Sequence, residues 1–172
     1  MTTIVFAHGK ESGPWGTKIC YLADIGRRLG ANVVSPDYSD LVSPEDRVAR
    51  LLALPRSEHE KLILVGSSMG GYVSTVASQA LKPKGLFLMA PAMYLPGYAE
   101  QRPMSGAEHT CVVFGRQDEV IPVENGIRFA AENRADLHII EGDHRLNDQI
   151  GKVGELFEAF LRRLNVGVNR PL

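Results

Sequence analysis

The amino-acid sequence predicts an α/β protein: a three-layer α/β/α sandwich around a mostly parallel, doubly wound sheet of about six strands. Three observations predict it. Short β-rich runs alternate with longer helical patterns from end to end. Most of those runs are near-continuously apolar, the pattern of strands covered by helices on both faces. No linker, internal repeat or low-complexity tract divides the 172 residues, so 1–172 is read as one domain.

Thr3–Ala7 is the first strand and runs into "HGKESG". Trp15, Ile19, Leu22, Ile25 and Leu29 recur at spacings of three and four, which predicts a helix over Gly16–Leu29. Asn32–Ser35 is the second strand. Ser43-Pro44-Glu45-Asp46 then supplies an N-cap, a proline for the first turn and two acids at the positive helix end. Val48, Leu51 and Leu52 of that helix turn toward the core. Lys61–Val65 is the third strand, and Met69–Leu81 is a helix rich in small residues, as close packing on a sheet requires.

Gly85–Met89 is the fourth strand. The segment after it, Pro91–Ala107 ("PAMYLPGYAEQRPMSGA"), fits no element and is long for a connection in such a fold, so it is either functional or mobile. Thr110–Phe114 is the fifth strand. Pro122–Asn133 opens with proline and carries Ile127, Phe129 and Ala130. Leu137–Glu141 is the sixth strand. Asp148–Leu164 closes the pattern, with Ile150, Val153, Leu156, Phe157, Phe160 and Leu164 on one face. Strand–helix–strand units in series are right-handed.

Composition narrows the function classes. A hydrophobic fraction of 44%, a charged fraction of 23% and a net charge of −1 are ordinary for a globular protein and leave no basic footprint for nucleic acid. Arg27-Arg28 and Arg162-Arg163 read as solvated helix faces. Cys20 and Cys111 belong to no CxxC or His-rich cluster, so no metal is expected, and both are expected reduced and packed as small apolar residues. "MTTIVFAHG" lacks a basic segment and a long apolar stretch, and no run approaches the ~20 apolar residues of a membrane span. The expected setting is cytoplasmic.

In open α/β sheets ligands bind beyond the carboxyl ends of the strands, and there the chemistry collects. Gly66-x-Ser68-x-Gly70 follows the third strand and opens a helix, the context of a nucleophile elbow. Only Ser68 has glycine at both −2 and +2; Ser67 has Val65 and Met69. A serine needs a base. His138 lies within a strand, His59 and His109 precede strands at the opposite rim, and His8 is locked into "HGKESG". His144, in "GDHRL" after the sixth strand, is at the correct rim. Asp118, in "GRQDEVIP" after the fifth strand, is the acid that would hold the imidazole, with its neighbour Glu119 in reserve; Asp143 is too close in sequence to His144 to hold the ring. Asp118 could also cap the helix that starts near Pro122. Two backbone N–H donors are required for an oxyanion. Met69 supplies one, and Lys10 in the first loop the other, with Glu11 the candidate if that loop turns a residue later. Trp15, Met69, Met93, Tyr94, Leu95 and Tyr98 are candidates for an apolar acyl pocket, and Lys10, Glu11 and Asp37 for a polar mouth.

Taken together, "HGKESG", "GSSMGG", "GRQDEVIP" and "GDH" resemble the α/β-hydrolase superfamily over nearly the whole chain, and among its members the small bacterial hydrolases without a cap domain. The resemblance implies a minimal α/β-hydrolase fold, Ser68, Asp118 and His144 as a triad, and the Met69 and Lys10 amides as oxyanion donors. It also implies that residues 91–107 are a short loop in place of a lid. The expected chemistry is hydrolysis of small carboxylic esters or thioesters through an acyl-enzyme, with a small-molecule acyl substrate and no cofactor. Amide cleavage, acyl transfer, or plain binding on the same fold are the alternatives.

Overall fold

The structure is a computed structural model that describes residues 1–57 and 60–167. Six strands form one sheet: β1 (Thr2–Ala7), β2 (Asn32–Val34), β3 (Lys61–Ser67), β4 (Gly85–Met89), β5 (His109–Gly115) and β6 (Asp136–Ile140). The helices are α1 (Thr17–Arg28), α2 (Pro44–Leu52), α3 (Met69–Leu81), α4 (Val123–Asn133) and α5 (Ile150–Arg163), with a short 3-10 turn over Asn147–Gln149 before α5. Every strand pair is parallel, and the spatial order is β2-β1-β3-β4-β5-β6. The chain winds one way from β1 to β2 and the other way from β3 onward. The reversal therefore lies between β1 and β3, which is where a doubly wound sheet opens a crevice.

Alternate residues of the central strands enter two separate cores. Ile4 and Phe6, Ile63 and Val65, Phe87 and Met89, and Cys111 and Val113 pack with α1 and α5. Val5 and Ala7, Leu62 and Leu64, Leu86 and Leu88, and Val112 and Phe114 pack with α2, α3 and α4. Double-sided burial explains the unbroken apolar runs. The edge strands obey a looser rule: β2 has only three residues, and Ile139 of β6 is exposed.

Element ends differ from the sequence reading by a residue or two. β3 continues through Gly66 and Ser67, because Gly66 still pairs with Ala7 and Leu88, and Ser67 with Met89. α5 starts at Ile150, after the 3-10 turn, rather than at Asp148. Ser43 does cap α2, its hydroxyl accepting from the Asp46 N–H at 3.3 Å. Three side chains assigned to the interior lie outside: Leu52 and Ile127 are exposed, and so is Cys20, whose thiol donates to the Trp15 carbonyl. Each stands at the margin of its helix stripe, where periodicity resolves a face poorly.

Residues 91–107 break the strand–helix alternation. β4 and β5 are parallel neighbours, so a crossover must join them, and here it is an irregular strap instead of a helix. Met93, Tyr94, Leu95 and Tyr98 close the second core from above. The strap is tied down along its length. The Ala99 N–H donates to Glu45 Oε1 at 3.0 Å, and the Glu100 N–H to Tyr72 Oη at 2.9 Å. Tyr72 Oη itself donates to Glu45 Oε1 at 3.1 Å. Further along, Gly106 N–H reaches Ser78 Oγ and Ser105 N–H reaches Asn133 Oδ1.

Candidate active site

Ser68 stands between the last residue of β3 and the first of α3, with φ 53° and ψ −118°. Such a backbone is strained by about 1–3 kcal/mol for a residue with a Cβ and persists only when neighbours over-determine it. Here they do. The Ser68 N–H donates to Met89 O at 3.0 Å, and Ser68 O accepts from the Gly71 and Ala92 N–H groups. Two glycines make the turn possible by close approach. A Cβ on Gly66 would lie 2.3 Å from Gly70 O, and one on Gly70 would lie 1.9 Å from Ala7 O. The first turn of α3 thus presses against the end of β1.

His144 and Asp118 complete a chain of contacts. The Ser68 hydroxyl lies 3.0 Å from His144 Nε2, and His144 Nδ1 lies 2.8 Å from Asp118 Oδ2. An ionised carboxylate only accepts, so Nδ1 carries the proton and Nε2 is free to accept from the serine. The Asp118 side chain is fully buried. Its other oxygen, Oδ1, accepts from the Val120 and Ile121 N–H groups at 2.8 Å each. Burial alone would raise the Asp118 pKa, but the His144 hydrogen bond and the two amides outweigh it, and the pKa falls below the ordinary carboxylate value. Asp118 therefore closes its own turn with one oxygen and orients the imidazole with the other. It does not cap α4, whose N-cap is Pro122. Glu119 is exposed.

The loop that presents His144 is shaped by Asp143, whose Oδ1 accepts from the Arg145 and Leu146 N–H groups at 3.0 Å. Leu146 is fully buried at φ 58°. Gly115 lets the loop come close, since a Cβ there would meet Gly142 O at 2.3 Å. Lys18, from α1, donates to Arg145 O at 2.8 Å. Burial lowers its pKa to about 8, against the attraction of Asp143 and Asp118.

The first loop lies on the other side of Ser68. A Cβ on Gly9 would be 3.5 Å from the Ser68 Cβ, so the backbone of this loop passes directly beside the serine. Lys10 follows it. Met69 occupies the first position of α3, where an N–H has no intrahelical acceptor. The two N–H groups named from the sequence thus belong to segments that border Ser68.

His8 is fully buried. Its Nε2 accepts from the Tyr38 N–H at 2.9 Å, and its Nδ1–H donates to Gly9 O at 2.8 Å. Burial lowers its pKa, so it is a neutral structural imidazole. His109 is exposed at the start of β5, and His138 is half-buried in β6. His59 lies outside the described residues.

The residues named for an acyl pocket each have packing of their own. Met93 is fully buried in the second core. Tyr94 has the Arg128 guanidinium 3.9 Å from its ring centre, and its hydroxyl donates to Glu132. Tyr98 meets Tyr72 edge-on at 4.6 Å. Trp15 is 46% exposed, with Arg27 over its ring. Two residues at this rim escaped the sequence reading: Lys18, and Arg47, which is only 2% exposed. A signal for Arg47 existed, because it stands three residues after buried Pro44 and four before buried Leu51, on the same helix face. Among the described residues, no helix is long and apolar enough to cross a membrane, and no cluster of His, Cys, Asp and Glu could hold a metal ion.

Comparison with known proteins agrees with this fold. Residues 4–141 match the family model described as the alpha/beta hydrolase family. That span contains Ser68 and Asp118 and stops short of His144. No curated protein sequence matches the chain. Among solved structures, a protein of the alpha/beta hydrolase superfamily from Xanthomonas campestris pv. campestris is 29% identical, with a TM-score of 0.85, over 94% of this chain and 98% of that one. Est1E from Butyrivibrio proteoclasticus is 17% identical (TM-score 0.79; 95% and 88% covered). A serine hydrolase without a lid, also from Xanthomonas campestris, is 18% identical (TM-score 0.75; 98% and 84% covered). The last two show likeness of fold alone.

Proposed function

The chain belongs to the alpha/beta hydrolase family, and within it we propose a serine hydrolase that cleaves small carboxylic esters or thioesters through an acyl-enzyme on Ser68. One observation carries this reading. The Ser68 hydroxyl is within hydrogen-bond reach of His144 Nε2, while the opposite ring nitrogen is held by a buried carboxylate. That arrangement supplies a base of fixed tautomer to a serine on a strained turn.

The steps follow from it. Ser68 Oγ attacks the acyl carbonyl as His144 Nε2 takes its proton. Asp118, ionised, stabilises the imidazolium. The Met69 and Lys10 N–H groups receive the tetrahedral oxygen. His144 then protonates the leaving group, and a water attacks the acyl-enzyme by the reverse route. The strap is fastened to α2, α3 and α4, which supports an uncovered site and short or medium acyl groups. The free thiols of Cys20 and Cys111 support a reducing, cytoplasmic setting.

A fluorophosphonate probe should label Ser68, and Ser68→Ala should abolish labelling and lower kcat on 4-nitrophenyl acetate by about 10⁶-fold with the fold intact. Activity that survives the substitution removes Ser68 from the reaction. A panel of ester, thioester and amide substrates sorts hydrolysis of esters from amide cleavage; acyl transfer to added alcohols would reveal a transferase.

A further inference from the structure

Arg47 is a charged side chain buried beside the reaction centre, and its hydrogen-bond partners are all main-chain carbonyls. Its Nε donates to Leu41 O at 2.9 Å. Its Nη1 donates to His8 O at 3.3 Å and to Gly9 O at 3.2 Å. The Tyr38 ring lies against both His8 (5.4 Å between ring centres) and the guanidinium (5.8 Å). Burying a guanidinium is costly unless its donors are used, and a helix of this amphipathicity could close its face with an apolar residue. The use it finds is specific: two successive peptide groups of the first loop.

A peptide group is planar and trans, so its C=O and N–H point in opposite directions. The carbonyl of Gly9 and the N–H of Lys10 belong to one such group. Gly9 O is held from the interior by Arg47 and by the His8 Nδ1–H. The Lys10 N–H is thereby turned the other way, out of the interior, on a loop whose backbone borders Ser68. The His8 carbonyl, also held by Arg47, fixes the preceding peptide group in the same manner. We propose that Arg47 is a positioning residue for the acyl-transfer reaction: by gripping the His8 and Gly9 carbonyls it sets the direction of the Lys10 N–H that receives the oxyanion. This rests on the reading of Ser68 as nucleophile.

Arg47→Met and Arg47→Lys test it, with three readouts. Steady-state kinetics on 4-nitrophenyl acetate should show kcat lower by about 10- to 100-fold at nearly unchanged KM, because a misaimed donor is missed only in the transition state. The inhibition constant of a trifluoromethyl ketone, which forms a tetrahedral oxyanion on serine, should rise by the same factor. Backbone amide NMR order parameters at Gly9, Lys10 and Glu11 should fall relative to those in β3 and β4. If the Met variant does not fold, the Lys variant, with one ammonium in place of the fork, should show the same changes at smaller size. A folded variant with kcat and inhibitor affinity unchanged overturns the proposal, whether or not its melting temperature falls. If the unmodified protein hydrolyses no ester and takes no probe, the parent reading fails on its own; the Lys10 order parameter then decides, and an unchanged value overturns the grip as well.

Discussion

The loops on the two sides of Ser68 are held by different cations. The first, His8–Gly13, is gripped by Arg47, whose guanidinium stays charged at any working pH. The last, Gly142–Leu146, is tied by Lys18, whose burial brings its pKa to about 8. In the proposed reaction the first loop contributes main-chain donors and the last contributes a side chain, His144. On the proposed reading, the loop of the donors is held by a permanent charge, and the loop of the base by a charge that can leave. Of the two cations, only the one on the His144 side has its pKa brought down to about 8.

The largest effect comes from cutting the His144 side at its buried end. Asp118→Asn should lower kcat by about 10⁴-fold with little change in fold, since an amide can donate where the carboxylate accepts and so favours the wrong imidazole tautomer. Kinetics with a circular-dichroism control measures it, and a loss below 10-fold would mean that Asp118 only shapes its turn.

Displacing the loop should cost less. Gly115→Ala places a methyl group 2.3 Å from Gly142 O. The His144 loop must then shift by a fraction of an ångström or more, for a loss of about 100-fold in kcat/KM. Gly9→Ala meets only ordinary contacts at 3.5 Å and should lose much less. Equal losses in the two variants would erase the asymmetry between the loops.

The smallest effect is on stability. The folded pKa of Lys18 is about 8, below its ordinary 10.5. Between those values the unfolded chain holds a proton that the folded chain lacks, so this lysine makes stability rise with pH across that window and contributes no slope below it. Lys18→Met should remove that rise. Melting temperatures of the two proteins from pH 7 to pH 10 check it, and parallel curves would count against a lowered Lys18 pKa.

Much of this was legible in the sequence, and for identifiable reasons. Gly85–Met89 and Met69–Leu81 coincide with β4 and α3, because double-sided burial and a Gly-rich helix start leave sharp marks. Ser68, Asp118 and His144 could be gathered at one rim because each follows a strand of a parallel sheet, whose carboxyl ends all face one way. The packing of the strap was not legible. Where Tyr94 and Tyr98 pack depends on the strap, and the strap is placed by Glu45 and Tyr72, which come from α2 and α3. No local pattern encodes that. Arg47 is hidden for a related reason: a charge in an amphipathic helix reads as solvent-facing unless its i+4 neighbour is considered.

The strap has a further consequence, for how such a chain could grow. Its turn at Pro96-Gly97 is exposed, with Gly97 at φ +85° and nothing within 4 Å of a Cβ added there. The clamp on Glu45 and Tyr72 begins just downstream, at Ala99. Residues inserted at that turn would lengthen a surface connection whose closure entropy rises by only about 0.6 kcal/mol per doubling, while both ends stay anchored. A covering domain could therefore be acquired at this point by simple insertion, leaving β4, α3 and the serine turn between them untouched.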